Sequence, residues 1–135
     1  MDEETKQFVR QRAGNRCEYC RVHQRHYPDF TFHIEHIIAR QHRGSDDADN
    51  MALACHLCNR KKGPNLSDLD LDTGALTRLF HPRTDTWEGH FLIEDSGLIV
   101  GRTAIGRTTA DLLGMNADIR IQIRREIRRL EAGEK

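Results

Sequence analysis

Two cysteine pairs at the same short spacing, Cys17-Glu18-Tyr19-Cys20 and Cys55-His56-Leu57-Cys58, account for every cysteine in this 135-residue chain. A C-x2-C hook turns the backbone tightly enough to bring two sulfurs to one side, and two hooks supply the four soft ligands of a tetrahedral zinc. The alternatives are two disulfides, four unrelated core cysteines, or a redox C-x-x-C. The stretch between the hooks is longer than that of a usual zinc ribbon, so a folded insert must lie between the two halves of such a site. That insert carries the dipeptide Glu35-His36 and Asn50, and the second hook runs straight into Asn59-Arg60-Lys61-Lys62-Gly63.

Disulfides fit the sequence poorly. Residues 1–7, Met-Asp-Glu-Glu-Thr-Lys-Gln, have neither the basic start nor the apolar run of a secretory signal, which predicts reduced thiols and a cytoplasmic location. No segment approaches the ~18 apolar residues needed to cross a bilayer, and the apolar stretches near residues 34–38 and 91–100 are broken by charges or glycine. The length predicts one domain, small enough for a structural metal to contribute materially to folding. Lys plus Arg and Asp plus Glu both number 21, so the overall charge does not itself argue for a nucleic-acid partner. The distribution is uneven, with Arg10, Arg12, Arg16, Arg21, Arg25, Arg40, Arg43, Arg60, Lys61 and Lys62 around the hooks. Aspartates gather at Asp46, Asp47 and Asp49, and again at Asp68, Asp70 and Asp72.

Residues 3–13 read as a helix with Phe8 and Val9 as apolar contacts and Gly14 as its C-terminal stop. Phe30-Thr31-Phe32-His33-Ile34-Glu35 alternates with period two. The expectation is a half-buried strand with Phe30, Phe32 and Ile34 inward, His33 and Glu35 on the other face, and His36 at its exit. Residues 39–50 are polar and aperiodic and read as a loop. Met51-Ala52-Leu53-Ala54 reads as a second short strand, and residues 55–62 as a helix stopped by Gly63-Pro64. The order is strand, loop, strand, helix, with metal at the base.

The strings Ile34-Glu35-His36-Ile37-Ile38, Gly44, and Asp49-Asn50-Met51-Ala52-Leu53-Ala54-Cys55-His56-Leu57-Cys58-Asn59-Arg60-Lys61-Lys62-Gly63-Pro64 resemble the HNH endonucleases, a branch of the ββα-metal nucleases, and within it the bacterial subgroup with four zinc cysteines. The resemblance implies an α+β fold: a ββα-metal core over residues 16–64, stapled by a structural zinc on Cys17, Cys20, Cys55 and Cys58. An N-terminal helix (1–15) and a C-terminal hairpin with helices (65–135) would complete a single nuclease domain.

The implied chemistry is metal-dependent hydrolysis of DNA phosphodiester bonds, leaving 5′ phosphate and 3′ hydroxyl ends. Glu35 and Asn59 would ligate one catalytic divalent cation, and their oxygen donors suit magnesium or manganese. His36 would be the general base, a task for an imidazole that exchanges protons near neutral pH. Asn50 would hold the backbone or the imidazole so that His36 faces the attacking water, and Lys62 would bind phosphate. The chain departs from the family pattern in having Glu35 where aspartate is more usual and Asn59 where the name expects a final histidine; both side chains offer oxygen. His33 reads as a surface histidine or an additional ligand. Two other readings remain open here: a catalytically inactive, zinc-dependent nucleic-acid-binding module, and an antibacterial nuclease effector. A partner subunit, or a phage or restriction component, is compatible with each.

The C-terminal third carries less. Leu79-Phe80-His81-Pro82-Arg83, Trp87 and His90-Phe91 resemble the stretch after the motif in many small bacterial HNH proteins but imply no chemistry. Residues 91–100 read as a hairpin turning at Asp95-Ser96-Gly97, and residues 108–113 as a short helix. From Asn116, read as an N-cap, Ile119, Ile123, Ile127 and Leu130 recur at helical spacing as one apolar stripe, with Arg120, Arg124, Arg125, Arg128 and Arg129 on the remaining faces, read as a solvated surface or, alternatively, as a face laid along DNA phosphates.

Overall fold

In the computed structural model, which describes residues 2–133, the first helix, α1 (Glu3–Arg12), starts where Asp2 accepts a hydrogen bond from the Thr5 amide at 2.8 Å. Glu3 and Glu4 in its first turn and Arg10 and Arg12 in its last complement the helix dipole. Gly14 follows the C-cap at φ 63°, the left-handed conformation that ends a helix at least cost on glycine. Of the two apolar residues expected to pack, Val9 is buried, whereas Phe8 is exposed and lies under the Arg12 guanidinium.

The central element is an antiparallel pair, β1 (His33–His36) and β2 (Met51–Ala54), in register His33 to Ala54, Ile34 to Leu53, Glu35 to Ala52 and His36 to Met51. Helix α2 (His56–Lys62) comes at once after β2, its N-cap being Cys55, whose sulfur accepts from the Cys58 amide. Both α1 and α2 pack on the two strands. The result is an α+β fold with the expected ββα order.

The facing of β1 differs from the period-two expectation. The strand begins only at His33, Phe32 before it is buried, and within it Glu35 points inward while His33 is exposed. Phe30 lies outside the strand and stacks on the His56 ring, with centroids 4.4 Å apart. Alternation alone cannot say which face of a two-stranded sheet is covered. Here the covered side is the one that supplies polar partners to the Glu35 carboxylate.

The chain groups into two compact units: one runs to Leu66 and also takes His81–Asp85, and the other comprises Ser67–Phe80 and the chain from Thr86 onward. The second unit holds two hairpins, β3 (Ser67–Leu69) with β4 (Leu76–Arg78) and β5 (Phe91–Ile93) with β6 (Ile99–Gly101). It also holds the short helix α3 (Trp87–His90), α4 (Ala104–Leu112) and α5 (Asp118–Glu131). Its core includes Phe80, Trp87, Phe91, Ile99, Leu113 and Met115. Asp70 sits fully buried beside β3 and β4, where Arg107 of α4 donates to it at 2.9 Å and Thr73 at 3.0 Å.

Helix α5 departs from the sequence reading at four positions, while Ile123 and Ile127 of the expected stripe are half-buried and Arg125 and Arg129 are exposed as expected. Arg120 and Arg124 are the buried positions, and Ile119 is 60% exposed and Leu130 66%. Arg120 donates to the Leu113 carbonyl at 2.7 Å, and Arg124 to the Gly97 and Met115 carbonyls, each at 2.6 Å. A guanidinium with five donors can satisfy several unpaired carbonyls at once, which isoleucine cannot. Asn116 is not the N-cap; Ala117 is, and the Asn116 side chain instead donates to the Ile99 carbonyl and accepts from the Ile99 amide. Among the described residues no helix is long and apolar enough to cross a membrane.

Candidate active site

The four cysteines converge. Their sulfurs all lie within 4.8 Å of one another, all four residues are buried, and none is in a disulfide. Cys20 Sγ and Cys55 Sγ are 3.8 Å apart, matching the ~3.8 Å between sulfurs that a tetrahedral ion with ~2.3 Å bonds requires. Within each hook the second cysteine's amide donates to the first cysteine's sulfur at 3.4 Å, which fixes the turn before any metal arrives. Burial pushes the Cys17 and Cys58 thiols well above their ordinary range, so thiolates here need a cation to balance them. This cluster fits a structural zinc.

Glu18, inside the first hook, ties it to the sheet. Its amide donates to the Leu53 carbonyl at 2.8 Å and its carboxylate accepts from the Leu53 amide at 2.8 Å, so one residue pairs with β2 like a short strand. The other carboxylate oxygen is ion-paired with Arg83, from the His81–Asp85 segment that belongs to this unit. Burial, and then the neighbouring Arg12, lower the Arg83 pKa to about 10, which leaves it protonated at neutral pH.

Tyr19, the next residue, points at the site. Its hydroxyl donates to Glu35 Oε1, while Lys62 Nζ stands 3.5 Å from Glu35 Oε2 and donates to the Ile37 carbonyl at 2.9 Å. Burial pushes the Glu35 carboxyl up, and Lys62, Tyr19 and His36 oppose that shift. Lys62 does not take up the phosphate-facing position expected of it. It is only 2% exposed and faces inward as the counter-charge of Glu35, because a lone buried carboxylate would be costly.

His36, at the end of β1, directs Nε2 to Asp46 Oδ1 at 2.8 Å, and the same oxygen accepts from Arg40 Nε at 3.0 Å. These contacts, His36 first, hold the Asp46 carboxyl below the usual carboxylate range. Asn50 reaches backbone and not the imidazole. Its amide nitrogen donates to the Ile38 carbonyl at 2.9 Å and the Ser45 carbonyl at 2.8 Å, and its oxygen accepts from the Ile38 amide at 2.9 Å. Gly44 permits this close approach, since a Cβ there would stand 1.7 Å from the Ile38 oxygen.

Glu35, His36 and Asn59 line one open cleft of about 460 Å³, together with Ala39, Arg40, Arg60, Gly63 and Pro64. Asn59 is in the middle of α2, one position after the last cysteine of the second hook. A carboxylate and an amide oxygen beside a cleft suit a hard divalent cation. His33 is exposed and borders a different groove, with Lys6, Arg10, Thr31, Phe32 and Ile34.

The order of these parts, with hooks outside, Glu-His on the first strand, Asn before the second and Asn on the helix, is matched by a family model. Residues 17–65 match that of the HNH endonucleases. This segment is an HNH endonuclease domain. The HNH match covers the zinc cluster, both strands and α2, and leaves the remainder of the chain outside. Among curated proteins the chain is similar to "Septu protein PtuA" of Bacillus mycoides (strain KBAB4), 23% identical over 146 aligned residues. The alignment covers 89% of this chain and 20% of that relative, so the chain spans about a fifth of its length. No solved structure matches.

The sequence pointed to Glu35, His36, Asn50 and Asn59 through motif order. It gave no role to Tyr19, Glu18 or Arg83, whose partners are distant in the chain, nor to Asp46, whose partners His36 and Arg40 are near in sequence but lie in an aperiodic polar loop. The softer Leu79-Phe80-His81-Pro82-Arg83 string was the one available signal for Arg83.

Proposed function

We propose that the HNH segment hydrolyses DNA phosphodiester bonds with His36 as general base and with Glu35 and Asn59 as the ligands of a catalytic magnesium or manganese ion. The observation that carries this reading is the shared cleft: one carboxylate, one imidazole and one amide, rimmed by the exposed Arg40 and Arg60. Held by Glu35 and Asn59, such a cation would supply Lewis acidity to the phosphodiester.

The residues divide the remaining work. His36 takes the proton of the attacking water. Arg40 and Arg60 attract the phosphate backbone. Tyr19 and Lys62 hold the Glu35 carboxylate in one orientation at the cleft. Asn50 fixes the backbone on either side of the loop. The zinc cluster sets the relative position of α2 and the first hook, and four free cysteines suit a reducing, cytoplasmic setting.

The test is relaxation of supercoiled plasmid by zinc-loaded protein in magnesium or manganese, beside His36→Ala and EDTA controls. Nicking that disappears in both controls, with 5′ phosphate and 3′ hydroxyl ends, is the expected result. No cleavage by a folded, zinc-loaded wild type that still binds DNA would replace the nuclease reading with that of a binding module.

A further inference from the structure

We infer that Asp46 is the positioning residue for His36, and that Asn50 acts by fixing both ends of this contact. The inference rests on the reading of His36 as general base. A carboxylate can only accept, so at 2.8 Å the His36 Nε2 must donate to Asp46 Oδ1, and in a neutral ring the proton then leaves Nδ1 as the acceptor. Asp46 therefore selects one tautomer. Arg40 donates to the same oxygen at 3.0 Å and keeps Asp46 turned toward the ring.

Stability does not explain this arrangement. The Asp46 side chain is 68% exposed and that of Arg40 69%, and pairs in solvent contribute little to folding. The backbone around the contact, by contrast, is strictly held. Asn50 binds Ser45, the residue before Asp46, and both backbone groups of Ile38, two residues after His36. One buried side chain thus sets the separation of the two segments that present the imidazole and the carboxylate. Gly44 lets those segments approach.

Two readouts test the proposal. In ¹⁵N-labelled whole protein at slightly alkaline pH, long-range ¹H–¹⁵N spectra are expected to show His36 protonated at Nε2 in the wild type and a mixture of tautomers in Asp46→Ala. In magnesium-dependent plasmid cleavage, Asp46→Ala is expected to lower kcat roughly ten- to hundredfold at unchanged KM, with partial recovery in Asp46→Glu. An unaltered tautomer in Asp46→Ala would overturn the proposal. If His36→Ala cleaves like the wild type, the general-base reading fails instead, and the spectra still decide whether Asp46 orients the ring.

Discussion

Arg83 closes an ion pair on the buried carboxylate of Glu18, and Glu18 is at the same time hydrogen-bonded through its main chain and side chain to Leu53 of β2. A segment beyond the HNH match therefore neutralises a charge lodged between the zinc hook and the sheet. Removing the cation alone leaves that charge uncompensated. Arg83→Ala is expected to cost about 3–5 kcal/mol in urea unfolding, and the double variant Glu18→Gln/Arg83→Met to lose much less than the sum of the single changes. Additive losses would show that the pair is not coupled.

Zinc is expected at one ion per chain by elemental analysis. Apparent binding of roughly 10 kcal/mol or more is available to such sites, comparable to the whole stability of a small domain. Chelation, or Cys55→Ser, should therefore abolish cooperative unfolding of the ββα segment, followed by circular dichroism and by the Tyr19 and Tyr27 signals. Full retention of the transition after verified zinc removal would refute a folding role.

Gly44→Ala tests the loop. The added methyl meets the Ile38 carbonyl and the Asn50 amide nitrogen, so the loop must open or Asn50 must let go. Overpacking of this kind costs about 1–3 kcal/mol. Faster hydrogen exchange at the Ile38 amide and a fall in cleavage are expected together, and normal exchange with a normal Tm would count against the close approach.

Acid should weaken the second unit through Asp70. Arg107 first, then Thr73 and the Asp72 amide, hold its carboxyl below the usual range. Folding thus favours the ionised form, so the contribution is complete above the unfolded value of about 3.9 and is lost as pH falls through the lower folded value. Tm should drop below about pH 4 in the wild type, and Asp70→Asn should start lower at neutral pH and show a shallower acid decline. Parallel pH profiles would exclude Asp70 as the source.

The ββα order and the cysteine cluster were legible because each depends on residues close in sequence: a hook, an Asn-flanked strand, a helix that Gly63-Pro64 ends. The facing of Glu35 was not, since a carboxylate scores as a surface group until Tyr19 and Lys62 are seen beside it. Arg120 and Arg124 misled in the same way, because arginine reads as solvated unless the carbonyls of Leu113, Gly97 and Met115 are known to await it. Asp46 looked like one member of a polar loop, and the hairpin of β3 and β4 had no alternating apolar face to announce it. What the sequence concealed was mostly polar partnership across long separations.

The path of the chain, out of the first unit at Leu66 and back for His81–Asp85, bears on how this domain can be recombined. A graft cut at the end of the recognisable motif would carry all four cysteines and every proposed catalytic group, yet would leave behind the arginine that balances Glu18. The transplantable unit is therefore discontinuous in sequence, and a chimaera must bring or rebuild that clip.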